Sequence, residues 1–395
     1  MRRIVLGLTG VVGAAALTLS TLPATSAAPA SDSSRPGAAR AAATYPALSV
    51  TRMVRGLDLP WDVKPLPGRR FLITERSSKH LLLRTRQGRV YRVKFPSGAL
   101  WANGETGLMG LAVDPKFSRN KLFYTCHGGN RAGGGHDVRV VSWRLRTQPL
   151  RATLVRRLVT GIPATTGQHG GCRLLIASDG SLFVGTGDAA TGSNPRNLDS
   201  LGGKTLRLNR ITGAAWPSNP FVNGATRARR LIFTYGHRNV QGLSQRPGGA
   251  VWSAEHGPDR DDEVNRLTAG GDYGWHPVPG YDQTVPMTDQ DLPGTQVNAR
   301  WSSGFPTVAT SGIAWVRGTK WGAYRGMLAV ANLKASRVMF MRFDASGNFV
   351  GTRVPPALTR YGRLRSITSL LNGDLLVTTS NGNGRDSVLR VRPRG

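Results

Sequence analysis

Short runs of apolar β-forming residues recur along this chain, each ending abruptly on polar groups. They are residues 71–75 (Phe-Leu-Ile-Thr-Glu), 122–126 (Leu-Phe-Tyr-Thr-Cys), 182–186 (Leu-Phe-Val-Gly-Thr), 251–255 (Val-Trp-Ser-Ala-Glu), 327–331 (Met-Leu-Ala-Val-Ala) and 375–379 (Leu-Leu-Val-Thr-Thr). Turn chemistry precedes most of them: Pro67-Gly68, Asp179-Gly180, Gly248-Gly249 and Asn372-Gly373-Asp374. The intervals, roughly 50 to 75 residues, suit a four-stranded blade with loops of varied length. Six copies predict an all-β, six-bladed β-propeller over residues 45–395. The runs are continuous rather than alternating, so the pattern predicts strands buried on both faces, as in stacked blades. No long 3.6-residue apolar period follows residue 44, so helices should be few and short. A pair of packed sandwiches is the competing architecture, but it predicts strands without a long repeat.

The polar groups that close the runs matter most. Glu75-Arg76, Cys126-His127, Gly187-Asp188, Glu255-His256 and Asn332-Leu333-Lys334 all sit just past a buried strand. Equivalent strand ends of a propeller converge at one mouth of the central channel. Residues distant in the chain should therefore meet there.

The N-terminus changes the picture of location. Met1-Arg2-Arg3 is basic, residues 4–19 are apolar, and small residues cluster at Ala24-Thr25-Ser26-Ala27-Ala28. This is the layout of a secretory signal peptide over residues 1–28. The apolar run is short and rich in Ala, Gly and Thr, which disfavours a retained anchor. No transmembrane segment is expected after cleavage. Residues 29–44 read as a flexible Ala, Ser, Pro and Arg linker. The expected location is secreted, extracellular or associated with the cell wall.

The formal net charge is +31. A surface so basic attracts polyanions, so an anionic cell-wall polymer is a candidate partner. The charges are scattered and no nucleic-acid motif surrounds them, so no specific nucleic-acid partner is expected. Two cysteines, Cys126 and Cys172, exclude a disulfide-built scaffold and cannot complete a metal site alone.

Four segments carry candidate chemistry. Gln168-His169-Gly170-Gly171 offers a general base near neutrality, and Asp188 could orient it. Arg238-Asn239, in Gly236-His237-Arg238-Asn239-Val240-Gln241-Gly242, offers an anion site. Residues 259–263 place four acids in five positions. Such density asks for a cation or several donors, and calcium accepts carboxylate and carbonyl oxygens. Lys334, Arg363 and Arg365 add cations that would suit a phosphate or polycarboxylate. Each has a plainer reading: a loop-capping histidine, a surface salt bridge, a solvated acidic turn, chance placement in an Arg-rich chain.

Together these segments resemble the soluble pyrroloquinoline quinone (PQQ)-dependent glucose and aldose sugar dehydrogenases. The resemblance runs from Gly56-Leu57-Asp58-Leu59-Pro60-Trp61 to the C-terminus. It includes Gly107-Leu108-Met109-Gly110-Leu111, Leu201-Gly202-Gly203-Lys204-Thr205-Leu206-Arg207-Leu208 and Gly271-Asp272-Tyr273-Gly274-Trp275. It implies a six-bladed propeller, PQQ and Ca2+, an aldose substrate oxidised at C1, and a quinone or small redox protein as electron acceptor. His169 would be the base, Asp188 its orienting partner and Arg238 the stabiliser of charge on the quinone oxygen. Arg238, Asn239, His256, Asp262, Thr307, Lys334, Arg363 and Arg365 would hold PQQ. Carbonyls of Gly257 and Pro258 would ligate one calcium; Glu263, the Tyr273 carbonyl and Asp282 would form a second site.

Glu105 stands where that family commonly has Gln, and Gln168 where the glucose-type enzyme has Asp. Both would lie near the sugar, with Phe305 offering an aromatic face, so broad aldose use is expected. A Cys126–Cys172 disulfide would clamp blades beside the catalytic loop. Two rival functions remain at this stage: a calcium-dependent hydrolase resembling lactonases, and a non-catalytic propeller binding carbohydrate or cell wall.

Overall fold

The computed structural model describes residues 44–394. The expected signal peptide and all of the linker before Thr44 lie outside the described residues. Six four-stranded antiparallel sheets follow one another along the chain. The first blade comprises Pro60–Leu66, Arg70–Glu75, Leu81–Arg84 and Val90–Arg92, and the second Leu108–Val113, Leu122–Asn130, His136–Thr147 and Leu150–Ile162. The third comprises Arg173–Ile176, Ser181–Gly185, Thr205–Asn209 and Ile232–Thr234. The fourth is Val240–Gln245, Val251–Glu255, Glu263–Arg266 and Trp301–Ser302, and the fifth Thr310–Trp315, Leu328–Asn332, Arg337–Phe343 and Phe349–Arg353. The sixth joins Leu364–Ser369, Leu375–Thr379 and Asp386–Pro393 to the N-terminal strand Leu48–Leu57.

This last pairing closes the ring. Leu48 faces Pro393, Val50 faces Val391 and Arg52 faces Leu389, so both ends of the propeller share one sheet. The first strand of each blade packs against that of the next, and Leu364–Ser369 returns to Pro60–Leu66. Such a ring of separate sheets excludes the sandwich pair.

The six runs legible in the sequence are the second strands of their blades, not those lining the channel. Their burial explains why they stand out: Val251–Glu255 and Leu375–Thr379 are buried at every position. Both of their faces meet a neighbouring blade. Leu72, Leu83, Leu108, Phe123 and Trp143 pack between the first two blades, and Trp321, Phe340, Leu375 and Leu389 between the last two. Burying each such side chain contributes on the order of 2 kcal/mol. The outermost strands are wet, as Val90–Arg92 shows.

The channel-lining strands carry polar residues, and these cross the axis. The Arg173 guanidinium lies 4.0 Å over the Trp61 ring. It donates to Gln241 O at 2.7 Å and pairs with Asp62 Oδ2 at 3.0 Å. Arg365 donates to Gln241 Oε1 at 2.9 Å, and Lys64 to Asp62 Oδ1 at 2.9 Å and Thr368 Oγ1 at 3.1 Å. Four blades thus build a charged floor, because buried polar groups must find partners. Antiparallel pairing puts the start of each channel strand and the end of each second strand at the same mouth. Glu75, His127, Asp188, His256 and Lys334 all belong to that mouth.

Candidate active site

The segment before Arg173–Ile176 turns sharply: His169, Gly171 and Cys172 have φ of 48°, 54° and 79°. The turn fits only because two glycines permit backbone contact. A Cβ on Gly187 would fall 1.7 Å from the His169 carbonyl oxygen, and one on Gly171 would fall 2.3 Å from Gly187 N. This contact places Asp188 against the His169 ring. Cys172, bonded to Cys126 and donating its N–H to Gly185 O at 2.6 Å, fixes the other side. Both cysteines are buried, so a covalent staple ties the second blade to this loop.

Asp188 is fully buried. Its Oδ1 lies 2.8 Å from His169 Nδ1 and accepts from Ala190 N at 2.8 Å. Its Oδ2 accepts from Trp275 Nε1 at 2.8 Å and from the Tyr281 hydroxyl at 2.7 Å. The carboxylate accepts a hydrogen bond from Nδ1–H, which leaves Nε2 as the free nitrogen. Glu105 Oε2 accepts from His169 N and from Asn239 Nδ2, each at 3.1 Å. Asn239 Oδ1 in turn accepts from Gly171 N at 3.1 Å. Burial opposes ionisation of Glu105, but His256, His169, Arg365 and the Asn239 amide outweigh it and hold the carboxyl below the usual range.

Arg238 faces the same mouth. Its N–H donates to Glu255 Oε2 at 3.0 Å, Nη1 to His256 O at 3.1 Å and Nη2 to Gln283 Oε1 at 2.8 Å. The guanidinium sits 5.6 Å over Trp275, and Nε is buried without a partner. His237 beside it is structural: it stacks on Tyr273 at 4.5 Å and bonds Glu255 Oε1 at 2.8 Å.

Positive charge accumulates here. Burial, then Arg76, Arg173 and Arg363 acting against Glu105, push the Arg365 guanidinium down to about 9. Burial and Arg363 push Arg76 down, with Glu105 and Asp58 opposing. Burial pushes the His256 imidazole down to about 3, with Arg365 and Arg238 adding to it and Glu105 opposing. The Nε atoms of Arg76, Arg238 and Arg365 and Nε2 of His256 are buried and unpartnered. Such a donor set, with few acceptors among it, fits a polycarboxylate ligand.

The remaining expected residues divide. Lys334 Nζ donates to Thr307 Oγ1 at 3.3 Å, so those two meet. Asp262, expected among the cofactor contacts, is engaged by backbone donors. Its carboxylate accepts from Gly257 N (3.0 Å), Val308 N (2.8 Å) and Thr310 N (3.2 Å) and ties two loops together. Burial raises it to about 6 despite those donors. Among the described residues, neither the Gly257 nor the Pro258 carbonyl receives a hydrogen bond, so both oxygens suit a cation.

The three residues expected at a second cation site differ in exposure. Glu263 is buried, accepts from Thr288 Oγ1 at 2.9 Å and Asn265 Nδ2 at 3.1 Å, and is pushed up to about 8 by burial and by Glu255. Asp282 stands in solvent and caps its own turn through Thr284 N at 2.8 Å. Tyr273 is buried, with its hydroxyl on Arg266 O at 2.7 Å. Among the described residues no three His, Cys, Asp or Glu side chains group to hold a metal. Gln168 is exposed, and Phe305, 77% exposed at a cis bond to Pro306, is a rim residue.

Sequence reasoning missed Tyr281, Trp275, Gln283 and Arg76 as parts of this site. Two of them carried a signal: Arg76 stands just past the first apolar run, and Trp275 closes the Gly271-Asp272-Tyr273-Gly274-Trp275 segment.

The glucose/sorbosone dehydrogenase family model matches residues 57–390. The chain is similar to the aldose sugar dehydrogenase of Escherichia coli K12, at 29% identity over 350 residues, 86% of this chain and 91% of that protein. It is similar to quinoprotein glucose dehydrogenase B of Acinetobacter calcoaceticus at 30% identity over 251 residues, 54% of this chain and 49% of that one. The fold matches that of the PQQ-bound aldose sugar dehydrogenase of Streptomyces coelicolor with a TM-score of 0.75 at 24% identity, covering 89% of this chain and all of the other. No helix among the described residues is long and apolar enough to cross a membrane.

Proposed function

The chain belongs to the glucose/sorbosone dehydrogenase family, and on that premise we propose that it oxidises aldose sugars at C1 to the lactone with PQQ and calcium. One observation carries the reading. His169 Nδ1 is engaged by Asp188 at 2.8 Å, which leaves Nε2 free, and Arg76, Arg238 and Arg365 of the same mouth have buried Nε atoms that lack partners.

PQQ, when bound, supplies the acceptor for the hydride that leaves C1. The protein's own groups do the rest. His169 Nε2 takes the C1 hydroxyl proton, and Asp188 compensates the resulting imidazolium. Arg238, preorganised by Glu255, His256 and Gln283, meets negative charge as it develops. Arg76, Arg363 and Arg365 attract carboxylates from one side, and Lys334 with Thr307 from another. Asn239 holds Glu105 and the His169 loop in register. The Gly257 and Pro258 carbonyls offer oxygens to calcium. The exposed Gln168 and Phe305 at the rim suit loose sugar recognition and broad aldose use.

We further infer export. The composition of residues 1–28 and the disulfide both suit an oxidising compartment. The charge of +31 would favour contact with an anionic cell-wall polymer. The electrons would pass to a quinone or a small redox protein.

Reconstitution tests the reading. The exported protein is titrated with PQQ, with and without calcium, and dye reduction is followed with a panel of aldoses. We expect PQQ binding, calcium-dependent turnover with several aldoses, and loss of about 100-fold or more in kcat for His169→Gln with PQQ still bound. Lactone hydrolysis without PQQ binding, or no PQQ binding at all, would overturn it.

A further inference from the structure

Tyr281 belongs to the loop after Trp275, and nothing assigns it a part in the chemistry. Its hydroxyl is nevertheless 2.7 Å from Asp188 Oδ2 and 3.0 Å from His169 Nδ1. Among the described residues it is the one side chain hydrogen-bonded to both members of the pair. We propose that Tyr281 is a positioning residue that holds His169 in the Nδ1–H tautomer, with Nε2 directed to the substrate; its catalytic consequence rests on the dehydrogenase reading above.

A phenol has one proton and acceptor lone pairs. Burial and the adjacent Asp188 raise the phenol far above the usual tyrosine range, so it stays protonated. Its proton goes to Asp188 Oδ2 at the shorter distance. The oxygen therefore presents only lone pairs to His169 Nδ1. A ring nitrogen between the Asp188 carboxylate and that oxygen faces two acceptors and must itself be the donor. The opposite tautomer would leave a bare Nδ1 against two sets of lone pairs. Asp188 alone favours the same tautomer, but Tyr281 removes the alternative of a ring tilted off Oδ1. The rings pack to match: Tyr281 lies 5.9 Å from His169 and 6.2 Å from Trp275, centroid to centroid.

The loop is held in place independently. Asp282 N donates to Pro277 O at 3.1 Å, Gln283 accepts from Arg238 Nη2 at 2.8 Å, and a Cβ at Gly192 would fall 2.4 Å from Gly280 O. The Tyr281 hydroxyl is thus delivered by a braced segment.

The test uses Tyr281→Phe, which keeps the ring and removes only the hydroxyl. The full chain is labelled with 15N-histidine, and His169 is assigned by its loss in His169→Gln. With the ring neutral, the native spectrum should show a protonated Nδ1 and a bare Nε2. Tyr281→Phe should mix the two tautomers, and kcat should fall about 10- to 100-fold with sugar KM and PQQ affinity little changed. Gln283→Leu, which loosens the same loop elsewhere, should leave the native tautomer. A native ring protonated at Nε2, an unmixed Tyr281→Phe spectrum, equal mixing in Gln283→Leu, or mixing with unchanged kcat in an active enzyme would each overturn the proposal. The spectra are read without cofactor. Mixed tautomers in a protein whose native form has no dehydrogenase activity would therefore fault the dehydrogenase reading alone.

Discussion

An alanine at Gly187 would carry a Cβ 1.7 Å from the His169 carbonyl oxygen, 2.5 Å from its carbonyl carbon and 3.1 Å from Asn239 Oδ1. Gly187 does not occupy the left-handed region, so alanine accepts its backbone angles and the whole effect is contact. Both close neighbours are backbone atoms, which cannot rotate away. To reach ordinary contact near 3.4 Å the two segments must part by about 1.7 Å. That separation falls between the chain carrying Asp188 and the loop carrying His169, whose Nδ1 and Oδ1 are now 2.8 Å apart. Overpacking of this kind costs about 1–3 kcal/mol, a fall of several degrees in Tm at this size. Misplacing a base by about 1 Å costs on the order of 100-fold in rate. Gly187→Ala should therefore fold, melt slightly lower, bind PQQ and lose about 100-fold in kcat by dye reduction. If turnover and Tm both stay near native, the close packing of these two segments does not position the pair, and the account of the site fails.

Two further outcomes follow from the structure. Converting Cys126 and Cys172 to alanine opens a covalent loop of sequence separation 46, which should cost about 4 kcal/mol by chain entropy in denaturant unfolding; an unchanged midpoint would refute this. Burial pushes the Lys204 amine down to about 7, with Asp188 and Asp272 opposing. Between about pH 7 and 10.5 the unfolded chain then holds a proton at this site that the folded chain lacks. Stability from this residue should rise with pH through that window, by at most about 1.4 kcal/mol per pH unit. Lys204→Met should remove that rise in melting curves taken from pH 7 to 9.

The apolar runs disclosed six blades because second strands are buried on both faces, and burial of that kind writes itself into consecutive residues. The channel strands were less legible. Pro60–Leu66 carries Asp62 and Lys64 toward the axis, and mixed polarity resembles a loop. His169, Asp188 and Arg238 could be named from Gly-rich context and family likeness, because their glycines are local requirements. The backbone donors that Asp262 accepts from were not legible, since a buried carboxylate engaged by backbone N–H groups has the same local sequence as one facing a ligand.

The six second-strand runs and their order, the glycines that permit close turns and the excess of positive charge were properties of the chain as written. Their periods span a few residues and need no distant partner. Which groups meet was decided by ring closure. It set Tyr281 against a histidine 112 positions away and Arg365 against a glutamine 124 positions away. Contacts across such intervals depend on how blades are spaced around an axis, a geometry that no stretch of sequence encodes by itself.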